Sequence, residues 1–207
     1  MAALLLAGAI ALSGCSTDKN FAGLSDEQLG GLFPTKSEVA SAFTKGMSLR
    51  KPEVIPNSAV SPVTDERNIP RDLPESCRNA FLGTDQSRAA AASKNRSIKV
   101  QGSEGDSKMT IVLNQFPSSA DAAKYMDAYD SISRECEFNT RFNLDVTKGW
   151  GTSTTTSTGY GATAAFLNVA DITMTVVISG TPEKDAEAAV KKLASLMETR
   201  IKAKQPQ

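Results

Sequence analysis

The chain has 207 residues, 40% hydrophobic and 22% charged, and its 23 Lys and Arg balance its 23 Asp and Glu. That neutrality gives no basic footprint for nucleic acid or an anionic surface. The lack of any histidine removes the usual Ser-His-Asp and Cys-His catalysts. The length suits a single domain with a real core.

Residues 1–14, MAALLLAGAIALSG, carry no charge. The run is too short for a membrane-spanning helix, which needs about 20 residues, and fits the apolar region of a signal peptide. It ends in Leu12-Ser13-Gly14-Cys15, which resembles a bacterial lipobox. That resemblance implies diacylglycerol on the Cys15 thiol and cleavage before it. No Lys or Arg precedes Lys19, which fits a start upstream of Met1. Residues 15–24 then read as a polar tether, and 25–207 as one domain. The acyl chains would be the only anchor, placing the domain at the cell membrane on its extracytoplasmic side.

Cys77 and Cys136 are the remaining cysteines. In an exported chain two cysteines read as one disulfide, closing a loop of roughly 60 residues. With no histidine and two distant cysteines, no metal site is expected, and no cofactor.

Ser25 opens a helical turn. Thr35 and Glu38 form a capping box for a helix with Val39, Phe43 and Met47 on one face, ending at Gly46. Five of the nine prolines fall in 48–74, an extended and irregular stretch. Pro74-Glu75 opens a turn carrying Cys77. Residues 97–101 and 109–116 alternate as two strands around a Gly-rich turn. Ser118 and Asp121 cap the clearest helix, whose stripe runs Ala122, Tyr125, Met126, Tyr129, Ile132 and Cys136. The period then changes to two. Phe138, Thr140, Phe142, Leu144 and Val146 alternate with Glu137, Asn139, Arg141, Asn143 and Asp145, a strand with one dry and one wet face. Strands are expected over 152–158, 160–168 and 172–178. Thr181-Pro182 starts a last helix with Ala186, Ala189, Val190, Leu193, Leu196, Met197 and Ile201 inward.

The expected fold class is α+β: a twisted antiparallel meander, two long amphipathic helices packed on one face, and one disulfide. The open sheet face would carry Arg141 and its polar neighbours, suited to a sugar or a peptide. Trp150 and Tyr160 would line a partly apolar entry between helices and sheet edge. GWGTSTTTSTGYGA, 149–162, lacks the GxxxxGK[ST] pattern and reads as a hairpin with turn glycines. No GxSxG occurs, and the paired carboxylates Asp65-Glu66 and Glu104/Asp106 read as solvated loop residues. No catalytic residue is identified.

"GLFPTKSEVASAF", "LPESC" and "FPSSADAAKYMDAYDSISREC", together with the lipobox, resemble the PknH-like extracellular sensor domain. That domain occurs on an actinobacterial serine/threonine kinase and on cell-envelope lipoproteins. The resemblance runs over roughly residues 25–200. Family members often carry a tryptophan three residues before the helix-ending cysteine, where this chain has Ser133. The resemblance implies an antiparallel sheet backed by helices, a cleft for an unidentified ligand, and a lipid-anchored binding or sensing role without catalysis. A non-catalytic structural or protein-interaction lipoprotein of the envelope is the competing reading.

Overall fold

The computed structural model describes residues 24–43, 46–55, 74–80, 82, 96–136, 139–155 and 161–204. Cys15, the tether up to residue 23, Phe138 and Tyr160 lie outside them, while Leu24, expected as the tether's last residue, already packs against the core.

The Thr35 capping box forms as expected and Ser25 makes a second one, whereas at Ser118 only half of the expected box forms, the hydroxyl accepting from the Asp121 amide. Ser25 caps α1 (Asp26–Gly30) with Gln28 returning to its backbone, and Thr35 caps α2 (Lys36–Ala42) with Glu38. The second helix is shorter than its stripe. Phe43 is already extended at the C-cap, and Met47 is buried beyond the helix rather than on it. Two short strands follow, β1 (Ser48–Leu49) and β2 (Glu53–Ile55). Residues 75–80 form helix α3. The long hairpin is β3 (Arg96–Glu104) with β4 (Ser107–Gln115), and α4 (Ser119–Glu135) comes next. Then come β5 (Asn139–Phe142), β6 (Gly149–Thr155), β7 (Gly161–Val169), β8 (Ile172–Ser179) and α5 (Glu183–Ala203).

The eight strands form one antiparallel sheet in the order β1-β3-β4-β8-β7-β6-β5, with β2 also on β3. β5 to β8 are the expected meander. Pairing of β4 with β8 joins it to the hairpin.

Side chains alternate across a strand, and the register fixes the two faces. Ile98, Leu113, Met174 and Leu167 share one, as do Val100, Ile111, Val176 and Ala165. All eight are buried, in one cluster with Leu29, Leu32 and Val39 and with Ala189, Val190, Leu193, Met197 and Ile201 of α5. Each large side chain so buried contributes about 1.5–3 kcal/mol. α5 begins without a side-chain cap, and Thr181 instead donates to Ser107 Oγ at 2.9 Å.

Helix α4 lies on the opposite face. Its Tyr129 ring meets Phe166, which alternates with the core residues Ala165 and Leu167. The two long helices therefore sandwich the sheet, against the expectation that both cover one side. The reason is in the strands. Phe166 and Trp150 give the second face an apolar patch of its own, and α4 needs such a patch for its stripe.

The strand expected over 138–146 is also shorter than its alternation. The ladder stops at Phe142, and Leu144 and Val146 pack into the core from a bent segment. Glu198 of α5 explains the departure. Its carboxylate accepts from the Thr147 amide at 2.8 Å and pairs with Lys202 at 2.8 Å, while Lys202 also donates to Thr147 Oγ1 at 2.7 Å. The segment is bonded to the helix instead of to a strand. Asn143 and Asp145 consequently share no strand face with Arg141.

Three carboxyls carry an acid sensitivity. For Glu38, hydrogen bonds from the Thr35 hydroxyl and amide lower the pKa, against partial burial and with help from Arg200. For Asp130 and Glu198 burial pushes upward, but hydrogen bonds and opposite charges outweigh it: Arg141 and Arg134 for Asp130, Lys202 and the hydrogen bonds of Thr147 for Glu198. All three titrate lower folded than unfolded. Their stabilisation is thus complete above the unfolded value, about 4, and is lost as pH falls through the folded values. Urea midpoints should hold between about pH 5 and 7 and fall below about pH 4. Glu38→Gln should flatten that fall, and an unchanged profile would contradict the assignment.

Candidate functional site

The α4 face carries an unbroken row of five rings. Phe116, at the end of β4, meets Tyr125 at a centroid distance of 5.1 Å, and Tyr125 meets Tyr129 at 5.1 Å. Tyr129 meets Phe166 at 5.4 Å, and Phe166 stacks on Trp150 at 5.2 Å with 19° between planes. The tyrosines come from one α4 stripe four residues apart, and their hydroxyls hydrogen-bond at 3.3 Å. Trp150 and Phe166 are directly opposed in the β6–β7 ladder.

Arg141 closes the row. Its guanidinium stands 5.1 Å from the Trp150 ring centroid, an arrangement worth about 0.5–1 kcal/mol at a surface. Nη1 donates to Asp130 Oδ1 and, at 2.7 Å, to Ser133 Oγ. Asp130 also holds Arg134 at 2.6 Å. The Ser133 position, where the resemblance leads one to expect tryptophan, is buried and receives Arg141. The sequence separated Arg141 and Trp150 into two alternative surfaces. The fold makes them neighbours, because β5 pairs with β6 so that Arg141 opposes Thr152, two residues along the same face from Trp150.

Trp150 owes its setting to the glycines beside it. A Cβ on Gly151 would lie 2.1 Å from the Phe142 ring, which covers that residue from the α5 side. The GWG segment is therefore a strand adapted to an aromatic lid and not a phosphate loop.

The predicted bridge is present. Cys77 and Cys136 are disulfide-bonded with Cα atoms 4.9 Å apart, which ties α3 to the end of α4. Among the described residues no cluster of three His, Cys, Asp or Glu could hold a metal, and no helix is long and apolar enough to cross a membrane.

A concavity of about 410 Å³ lies between α2, α5 and Asp145. Of its four charged groups, Glu38, Lys191 and Lys192 already have partners, which leaves Asp145. Glu38 holds Arg200 at 2.5 Å, Lys191 holds Glu187 at 2.6 Å, and Lys192 donates to the Ser41 carbonyl at 3.3 Å. It offers less free recognition chemistry than the Arg141–Trp150 corner.

No protein-family model matches this chain, and no curated protein matches it. Among solved structures it is similar to the extracellular domain of PknH from Mycobacterium tuberculosis. The TM-score is 0.50 at 13% identity, over 85% of this chain and 97% of that one. An Rv0999 ortholog from Mycobacterium smegmatis matches with a TM-score of 0.38 at 12% identity, over 82% and 96%. The first likeness shows a PknH-like fold. The second is too distant to add to it.

Proposed function

We propose that this domain is the binding or sensing module of a lipid-anchored protein on the extracytoplasmic face of the cell membrane. It binds its ligand at the Arg141–Trp150 corner and catalyses no reaction. The observation that carries the reading is the convergence of Arg141, Trp150 and the ring row on the sheet face opposite the main core. The likeness to an extracellular domain and the disulfide support the location. Leu12-Ser13-Gly14-Cys15 supports the anchor.

Arg141 and Trp150 act as one contact here, so Arg141→Ala and Trp150→Ala should each impair function in a deletion-complementation assay. The double variant should be no worse than either, as expected of coupled neighbours. Full activity of both folded single variants defeats the reading. The anchor is tested apart from the site: Cys15→Ala should abolish acylation, and mass spectrometry finding native Cys15 unmodified would remove it.

The competing reading, an interaction lipoprotein docking another envelope protein, has its own support. Val177 is 36% exposed and stands beside half-buried Thr110 and Ala164 on the same face. Mass spectrometry of molecules co-purified from the envelope separates the two. A small ligand favours the first reading, and a cross-linked protein on Val177 favours the second.

A further inference from the structure

Ser97, Asn114, Thr173 and Asn168 stand in one row across β3, β4, β8 and β7, on the α4 face. They are 3, 4, 0 and 7% exposed. Ser97 Oγ donates to Asn114 Oδ1 at 2.7 Å, and Asn114 Nδ2 donates to Thr173 Oγ1 at 3.2 Å. The Asn168 carbonyl stands apart from this chain of bonds. Its Oδ1 is buried and accepts no hydrogen bond among the described residues.

The Asn168 amide bonds the Lys148 carbonyl at 3.0 Å. Trp150 is therefore its diagonal neighbour on the same face, and such neighbours stand about 7–8 Å apart. The Trp150 indole Nε1 is buried as well and donates to nothing among the described residues. One unpaired atom accepts and the other donates. Buried polar atoms are costly to leave so.

We propose that Trp150 Nε1 and Asn168 Oδ1 recognise one secondary amide of a neutral ligand group, its carbonyl accepting from the indole and its N–H donating to the carboxamide. This rests on the binding reading of the Arg141–Trp150 corner and names the chemistry that corner takes. A carboxylate cannot donate to Asn168, and an ammonium cannot accept from Trp150. An amide carries its donor and acceptor on opposite edges, which suits partners on neighbouring strands better than a hydroxyl, which carries both on one atom. The Trp150 and Phe166 rings supply the apolar surface beside it. Acylated amino sugars and peptides share this group.

Trp150 is the chain's one tryptophan, so its indole N–H gives a single NMR signal. N-acetylglucosamine and a blocked alanine dipeptide serve as amide probes that separate the two sources. Glucose, acetate and methylammonium are the controls. At least one amide probe should shift the signal saturably, and no control should. Asn168→Leu should weaken that response by roughly tenfold or more. It should leave the melting temperature unchanged or raised, because it deletes an unpaired acceptor. The inference is overturned if no amide probe moves the signal, if glucose or an ion moves it equally, or if only long-lived exchange with water is seen. A marked fall in melting temperature for Asn168→Leu also overturns it, since Asn168 would then be a structural member of the row. If a probe perturbs Arg141 while the indole N–H stays still, the amide assignment fails and the binding reading stands. If nothing perturbs either residue and the Arg141 and Trp150 variants keep function, both fail.

Discussion

Replacing Cys77 or Cys136 with serine is expected to lower the unfolding free energy by about 2–5 kcal/mol. The bridge joins residues 59 apart in sequence, a separation at which the loop-closure model gives about 4 kcal/mol. That is a large share of a domain's net stability. Both sulfurs lie in the interior, Cys77 at 0% and Cys136 at 2% exposure, so reduction also leaves two buried thiols. The consequence should reach the candidate site. Cys136 is the C-cap of α4, and Asp130 and Ser133, which hold Arg141, lie within its last two turns. Urea titrations of Cys77→Ser, Cys136→Ser and the double variant should superimpose, because each removes the same cross-link. Fluorescence of Trp150 should shift in all three before the main transition. Two free thiols in non-reducing peptide mapping, or additive losses, would contradict this.

Gly180→Ala should cost about 2–4 kcal/mol, the sum of a left-handed backbone and an overpacked contact. Gly180 has φ +70° in the turn from β8 into α5, and a Cβ there would lie 2.2 Å from the Asp106 carbonyl oxygen. The obstacle is backbone, held in place because Ser107 Oγ donates to the Gly180 carbonyl at 3.1 Å and accepts from Thr181 at 2.9 Å. No side chain can swing aside. Gly105 gives the matching control. It has φ +55° in the β3–β4 turn, and a Cβ there would meet nothing within 4 Å. Gly105→Ala should therefore lose only the conformational part, about 1 kcal/mol. Thermal denaturation of the two variants side by side separates strain from collision. Equal losses would mean that the Asp106 contact relaxes.

Local signals in the sequence carried local structure well. Ser25 with Gln28 and Thr35 with Glu38 cap their helices because a capping box is complete within four residues. The alternation of Ile172, Met174, Val176 and Ile178 marked β8, because every one of those side chains faces the same core. Cys77 and Cys136 needed only their number and the signal-like apolar run at residues 1–14. Where the sequence misled, a long-range partner decided. Phe142, Leu144 and Val146 alternate like a strand, but Glu198, 51 residues beyond Thr147, captures the backbone. An apolar stripe tells that a helix must be buried and not on which side. The side followed from Phe166 and Trp150, whose facing could be known only once β6 and β7 were in register. The meeting of Arg141 with Trp150 depended on the same register. Asn168 carried no signal at all, since a single asparagine among strand residues looks the same whether its carbonyl is paired or not.

The two ends of the sheet bear on how copies of this chain would behave when crowded. Among the described strands, one border is formed by β1 and β2, two and three residues long and parted by a segment containing Pro52. The other is β5, four residues long, ending where the chain bends away toward α5. Open strand borders invite a neighbour's strand to add on, and brevity, proline and bends discourage it. A sheet with such clipped margins gives sideways encounters little backbone to pair with, so crowding need not become fibril growth.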